Sequence, residues 1–378
     1  MIFPNQCYIE LTQKCNLRCF HCFAQATPDA LDELSFEQVV EIYEQLPELN
    51  PIYLNISGGE PILVKDFYRI IEYAAKQPYI TNLLTNGTLW TKDSIEKFAD
   101  CVPDRNIIIQ ISLDGPFEIM AKHRNMDLHQ YKQIFESAFL FRELGFTVMA
   151  LSVVDAVTAP YILDTVKDAL VNGYFNNIKM VPLFMSGRAL NNIDLLEGFW
   201  DSWSNIVKEV TEIRKYAIWG ELSKKVSLGF FTLYELVAPL DQYGMLNEAL
   251  ETWGLDIFDI NKYRQQIRRN YYCECGFSEL TISSEMNVFP CVASIRSSLN
   301  CGSLNKNRLS KIWAESDLLN WYRSEKHDLQ LKEPCNSCQF KDFCGGGCRL
   351  TSLSLYGNLN SIDNRCPYVI KYNKTMTH

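Results

Sequence analysis

The chain has 378 residues, 47% of them hydrophobic, and a formal net charge of −9. Its length exceeds one ordinary domain, and its composition suits a large buried core. The acidic balance argues against nucleic-acid binding, which draws on a basic face. No run of about 18 apolar residues occurs and the N-terminus has no signal-peptide pattern, so a cytoplasmic protein without a membrane partner is expected.

A strand-like run at 7–12 leads into Cys15-Asn16-Leu17-Arg18-Cys19-Phe20-His21-Cys22. The C-x3-C-x2-C spacing lets one loop wrap three corners of a cubane iron–sulfur cluster, with thiolates as soft ligands for iron. The fourth iron keeps no protein ligand and stays open to a small molecule, as does the open position of a catalytic zinc. A structural zinc site would need a fourth ligand and usually paired CxxC motifs.

Ser35-Phe36-Glu37-Gln38 reads as a capping box, followed by Phe36, Val39, Val40, Tyr43 and Leu46 at helical spacing. The β-like run 51–56 ends at Ser57-Gly58-Gly59-Glu60-Pro61. Strands are then expected at 80–84, 107–112, 146–153 and 178–182. Helices alternate with them from Lys92, near 129–144, and after Thr158 and Pro160. Such alternation predicts parallel pairing through right-handed crossovers, with chemistry at the C-terminal strand ends. The cysteine loop, the Gly58–Pro61 turn and Thr85-Asn86-Gly87 all fall there. Residues 190–270 read as mostly helical, with Trp200, Trp203, Trp219, Phe230 and Phe231 as core or as walls of a substrate cavity.

Fourteen cysteines in a long leaderless chain point to metal rather than to a disulfide framework. Three lie in the opening loop and nine between Cys273 and Cys366. Among the histidines, His123, His129, His327 and His378 have no ligand spacing and are expected on the surface or in the core.

The run CNLRCFHC resembles the signature of the radical S-adenosylmethionine (SAM) enzymes, with His21 at the usually aromatic position. The resemblance implies a partial (β/α)6 barrel, in an α/β fold. It also implies an open iron chelated by SAM, and reductive cleavage of SAM to a 5′-deoxyadenosyl radical that abstracts hydrogen from a substrate. Gly58, Gly59, Glu60 and Pro61 match the turn that meets the SAM amino group. Ser112, in Ile111-Ser112-Leu113-Asp114-Gly115, is a candidate ribose contact, and His21 is placed near the adenine. Thr85, Asn86 and Asp114 equally suit plain turn chemistry. Ser186-Gly187-Arg188 resembles a recurrent family segment, in which Arg188 either pairs with the SAM carboxylate or caps a surface loop.

The tail, Cys335-x2-Cys338-x5-Cys344-x3-Cys348 and then Cys366, resembles the SPASM extension of a subset of these enzymes. Cys275 and Cys291 match its upstream cysteines, although Met286 stands where a glycine is expected. The resemblance implies two further [4Fe–4S] clusters, one on Cys273, Cys275, Cys291 and Cys348 and the other on Cys335, Cys338, Cys344 and Cys366. Cys301 is an alternative to Cys273 as ligand. It also leads Cys7 and Cys101 as a candidate hydrogen donor, a part that cysteine plays in some epimerases of the family. The expected organisation is a radical SAM partial barrel at 1–190, a helical bridge at 191–272 and a SPASM domain at 273–378.

Within SPASM proteins the common theme is modification of ribosomally made peptides by cross-link, thioether, epimerisation or oxidation. The sulfatase-maturase branch is disfavoured because Val292, not an acidic residue, follows Cys291. A peptide substrate is therefore expected, together with an external electron donor of flavodoxin or ferredoxin type. The barrel pattern begins at the first residues, so leader recognition is expected from the barrel, the bridge or a separate leader-binding protein. One alternative is a SPASM enzyme acting on a sugar or cofactor precursor. Another is a non-catalytic iron–sulfur electron carrier, which would not need the SAM-facing turn.

Overall fold

The computed structural model describes residues 3–192, 198–267, 272–323 and 331–376. Six strands and their crossover helices follow in alternation, as the periodicity predicts. They are β1 (Gln6–Glu10), α1 (Phe36–Gln45), β2 (Tyr53–Ser57), α2 (Phe67–Ala75), β3 (Ile80–Thr85), α3 (Lys92–Cys101) and β4 (Ile107–Ser112). Then come α4 (Phe117–His123), α5 (Leu128–Glu143), β5 (Val148–Val154), α6 (Ala159–Val171) and β6 (Asn177–Pro182). Each crossover helix has a local reason to start. Ser35 and Gln38 form the expected capping box on α1, Asp127 and Gln130 form one on α5, and Pro160 sits in the first turn of α6.

Burial alternates strictly along β4 and β5. Ile107, Ile109 and Ile111 pack into the layer beneath the helices, while Ile108, Gln110 and Ser112 turn to the other, half-buried face. That second face lines the hollow of a partial barrel.

The sheet does not stop at six strands. Beyond α7 (Phe199–Lys215) the bridge supplies a short strand, β7 (Val226–Leu228), which pairs parallel with β6. It continues through α8 (Tyr234–Gln242), α9 (Glu248–Glu251) and α10 (Ile260–Ile267). On the opposite side β8 (Glu279–Ile282) pairs parallel with β1, from Gln6↔Glu279 to Ile9↔Ile282. It turns back antiparallel into β9 (Asn287–Phe289) and β10 (Gly302–Ser303). The order is β10-β9-β8-β1-β2-β3-β4-β5-β6-β7. Both edges of the predicted barrel are thus paired, which satisfies peptide groups that an edge would leave open. Helices α11 (Leu309–Glu315), α12 (Asp317–Arg323), α13 (Lys341–Cys344), α14 (Arg349–Tyr356) and α15 (Pro367–Met376) complete the chain. No helix among the described residues is long and apolar enough to cross a membrane.

A buried ion pair ties the C-terminal segment to the barrel. Both carboxylate oxygens of Glu10, at the end of β1, accept from Arg296 Nη2 at 2.7 and 2.8 Å, and Oε2 also accepts from Ser284 N and Oγ. Burial raises the Glu10 pKa, opposed chiefly by the Arg296 charge. Removing the arginine leaves a carboxylate stranded in the interior. Arg296→Ala is expected to cost about 3 kcal/mol of stability, read as a clear fall in the anaerobic thermal unfolding midpoint. An unchanged midpoint would show that this pair does not hold the two segments together.

Candidate active site

Two neighbouring turns grip the cysteine loop from either side. From the end of β2, Gly59 N donates to Thr12 O at 2.7 Å and Glu60 N to Lys14 O at 2.8 Å. A Cβ on Gly59 would collide with Lys14 O and lie 2.9 Å from Cys15 Cβ, so this approach requires glycine. From the end of β6, Gly187, at φ +59°, brings its backbone onto Cys22, where a Cβ would stand 2.5 Å from the carbonyl oxygen. Arg188 N donates to that same Cys22 O at 3.0 Å. The glycines expected to admit a ligand therefore first admit the protein's own loop.

Arg188 is not a cap on a surface loop. It is half-buried, and its Nε and Nη1 donate to Cys19 O and Ala26 O, each at 2.8 Å, so it spans the cysteine loop from within. Its Nη2 is buried without a partner. A planar fork with two arms engaged and one free suits an anion bound beside the loop.

Glu60, fully buried, points to the third strand end. Its Oε1 accepts from Thr85 Oγ1 at 2.6 Å and its Oε2 from Asn86 N at 2.7 Å. Burial pushes its carboxyl up to about 7. Asn86 in turn donates to Asn16 Oδ1 at 2.9 Å and reaches Cys15 Sγ at 3.8 Å. Thr85 and Asn86 thus build the cysteine loop's floor. Ser112 stands half-buried at the C-terminal end of β4, and its hydroxyl has no hydrogen-bond partner among the described residues.

On the β4 side lies a group that the sequence hid. His21 stacks on His123 with ring centroids 4.2 Å apart. His123 sits between two buried carboxylates, Nδ1 3.1 Å from Asp114 Oδ2 and Nε2 2.5 Å from Asp155 Oδ2. Arg124 binds Asp114 through Nε and Nη2 at 2.6 and 3.0 Å. Burial alone would lower the His123 pKa, but the hydrogen bonds it donates to the carboxylates of Asp114 and Asp155 raise it to about 9. His21 is held neutral, by burial first and then by its charged neighbour. The segment also touches the loop backbone, with Phe20 N donating to His123 O at 3.0 Å. Asp114 is accordingly more than a turn residue, and His123 is a core histidine whose carbonyl meets the cysteine loop. Both ring nitrogens of His123 are engaged by carboxylates, so His21, Asp114 and His123 form a hydrogen-bonded stack rather than a metal site. His129 sits on exposed helix surface, whereas His327 and His378 lie outside the described residues.

All fourteen cysteines are free thiols. Cys15 and Cys19 are pushed up to about 12 and about 11, by burial first, with repulsion from neighbouring loop thiols adding to it. In the tail, Cys275 is in hydrogen-bond reach of Cys273 and Cys291, and Cys348 lies within electrostatic range of Cys273. Tyr322 feels all four. Cys301 stands near Cys291 with its thiol 3.8 Å from Leu299 O, at the margin of this group. The second group, Cys335, Cys338, Cys344 and Cys366, lines one small cavity of about 30 Å³ with Tyr234, Phe340 and Tyr368. Met286 adopts φ +63°, the left-handed conformation its position requires, without the expected glycine. Crowded, buried thiols with no disulfide between them need a cation before they can ionise together, and iron supplies it.

Comparison with known proteins agrees with this geometry. Residues 9–169 match the family model of the radical SAM superfamily, and residues 273–339 match that of the SPASM iron–sulfur cluster-binding domain. The chain carries a radical SAM domain followed by a SPASM domain. PqqA peptide cyclase of Bradyrhizobium diazoefficiens is 24% identical over 370 residues, covering 96% of this chain and 86% of that one. AdoMet-dependent heme synthase of Oleidesulfovibrio alaskensis is 26% identical over 367 residues, covering 95% and 86%. The fold is shared with Streptococcus suis SuiB, solved bound to its precursor peptide SuiA, at TM-score 0.75 and 16% identity over 97% of this chain and 76% of that one.

As a radical SAM enzyme with a SPASM domain, the protein uses [4Fe–4S] clusters and SAM. The residues present fit both. Three converging thiols await iron, while the free Arg188 Nη2 and the partnerless, buried His21 Nδ1 await polar groups. The glycine contacts carry a direct test. Gly59→Ala and Gly187→Ala should each displace the cysteine loop and lower iron by about four per chain, the content of one cubane, with the tail clusters retained. Full iron in both variants would show that the turns do not position the loop.

Proposed function

We propose that the enzyme modifies a ribosomally made peptide by hydrogen abstraction from one of its side chains, in the cytoplasm. A cleft beside the cysteine loop, with an aromatic approach to it, carries this reading. It is walled by Phe23 and Ala24, just past Cys22, and on another side by Val292, just past Cys291. The Thr281 hydroxyl, buried and without a partner, belongs to its lining, as does Tyr8. The cleft holds about 10 Å³, no more than one water molecule, so it marks the junction between the loop and the first group of tail cysteines rather than a chamber already open to a side chain.

Bound at this loop, the [4Fe–4S] cluster and SAM supply a 5′-deoxyadenosyl radical. The protein's own part is placement. Arg188 and the two glycine turns fix the loop, Glu60 fixes the turn facing SAM, and Ser112 is offered to a ribose hydroxyl. Thr281 and Tyr8 are the polar groups that border the cleft. Aromatics from three segments line an approach, since Phe23 meets Phe184 edge-on at 6.1 Å and Phe184 stacks on Phe231 at 3.7 Å. Of the bridge aromatics, Phe231 reaches this path, Phe230 packs on Tyr272 beside Cys273, and Trp203 is core. Apolar walls of this kind receive an extended peptide. The bridge's basic residues Lys224 and Lys225 lie in a surface turn and Arg264 on an exposed helix face, while Arg268 and Arg269 fall outside the described residues. Among the described residues, Lys224, Lys225 and Arg264 do not build a phosphate pocket, which favours a peptide over a sugar phosphate.

Similarity to a PqqA peptide cyclase supports the same reading, and likeness to a heme synthase keeps the small-molecule alternative as the one to exclude. An external electron donor of flavodoxin or ferredoxin type and a separate leader-binding protein complete the proposal. Cys301 is the thiol assigned as donor should the outcome be epimerisation.

The test is mass spectrometry of the peptide encoded nearest this gene, after anaerobic incubation with SAM and a reductant. Loss of hydrogens signals a cross-link or oxidation, and solvent deuterium uptake without other mass change signals epimerisation. The Cys15/Cys19/Cys22→Ala variant should make no 5′-deoxyadenosine. Unchanged peptides, together with a small metabolite that drives stoichiometric 5′-deoxyadenosine formation, would overturn the peptide substrate.

A further inference from the structure

Between the two groups of tail cysteines lies a buried charged residue that the chemistry so far does not use. Asp363 is 1% exposed. Its Oδ2 accepts from the backbone N of Cys348, a thiol of the first group, at 3.1 Å. The same oxygen accepts from the hydroxyl of Tyr234 at 2.9 Å, and Tyr234 lines the cavity of the second group. Asp363 O accepts from Cys366 N at 3.1 Å, and Asp363 N donates to Gly346 O at 3.1 Å, both on the second-group side. One residue therefore holds a ligand-bearing peptide of each group.

The position is closely built. Gly347, at φ +87°, passes so near that a Cβ there would stand 2.5 Å from Asp363 Cβ. Arg365 neutralises the carboxylate through Nε at 3.1 Å and Nη2 at 2.8 Å. The arginine also reaches Leu183 O at 3.3 Å, just past β6, and Glu235 Oε1 at 3.5 Å. The charge network thus runs from the barrel's sixth strand end to the peptides of both tail groups. Asp342, by contrast, is exposed on α13.

We propose that Asp363 is the shared positioning residue of the two auxiliary clusters. It fixes their separation and orientation and couples the electrostatic environment of one to that of the other. A carboxylate bonded to the peptide N–H of a cluster ligand contributes to the field at that cluster, and hydrogen bonding and net charge set iron–sulfur potentials. A change at Asp363 should therefore be felt at both clusters, whereas a residue serving one cluster would be felt at one.

The experiment uses the full chain in a Cys15/Cys19/Cys22→Ala background, so that only auxiliary clusters contribute spectroscopic signals. Anaerobically reconstituted Asp363→Asn should keep about eight irons, and both reduced-cluster EPR signals should titrate at altered potentials. One signal unmoved, or neither moved, overturns the proposal. Where Asp363→Asn loses iron, Tyr234→Phe decides instead. It removes one hydrogen bond to Asp363 from the second cavity, and the first cluster's midpoint should still shift. A first-cluster midpoint at its parent value in Tyr234→Phe overturns the coupling. Asp342→Asn should leave both midpoints in place, and a shift there equal to that of Asp363→Asn also overturns it. None of these readouts depends on which substrate the enzyme takes.

Discussion

Three thiols on one eight-residue stretch must converge on one inorganic cube although nothing in a short loop makes them do so. Here the convergence is imposed from outside, by backbone approaching backbone closer than any side chain would permit. Gly59 and Gly187 come from opposite ends of the strand series, β2 and β6, and both lean on the loop that follows β1. Arg188 then threads the gap between Cys19 O and Ala26 O. The partial barrel can thus be understood as the frame that brings those two turns to the same loop. Parallel strands deliver their C-terminal ends to one face, and only there can turns from distant strands meet.

Charge follows the same plan. Three of the buried carboxylates are paired with arginines. Glu10 with Arg296 joins the barrel to the C-terminal segment, Asp114 with Arg124 and His123 braces the loop from the β4 side, and Asp363 with Arg365 sits among the tail cysteines. Paired burial of this kind adds little net stability against an apolar substitute. Its effect is on placement and on the local field, which is what redox centres respond to. His21, at a position usually aromatic, keeps a flat ring in place while standing against a charged imidazole.

The sequence was most readable where chemistry or periodicity repeats locally. The expected strand 107–112 matches β4 to the residue, and the capping box at Ser35 forms as its pattern predicts. What stayed hidden depends on tertiary contact. β7 is three residues inside a helical stretch, and β8 is four residues inside a cysteine-rich one, so neither offers enough alternation to see. His123 and Asp155 are 32 positions apart with no spacing rule between them. The sequence leaves Arg188 open between a SAM contact and a surface cap, because its acceptors here are backbone carbonyls, which leave no mark in a sequence.

The central claim is that the protein, before any cluster binds, already holds the cysteine loop in place. Hydrogen–deuterium exchange on the cluster-free protein under anaerobic conditions tests it most directly. The amides of Cys15, Gly59, Glu60 and Arg188 donate to carbonyls of Thr27, Thr12, Lys14 and Cys22, and they should exchange as slowly as those of β1 and β2. Exchange of those four amides at unprotected rates, while the strands stay protected, would mean that the metal shapes the loop and would contradict this account.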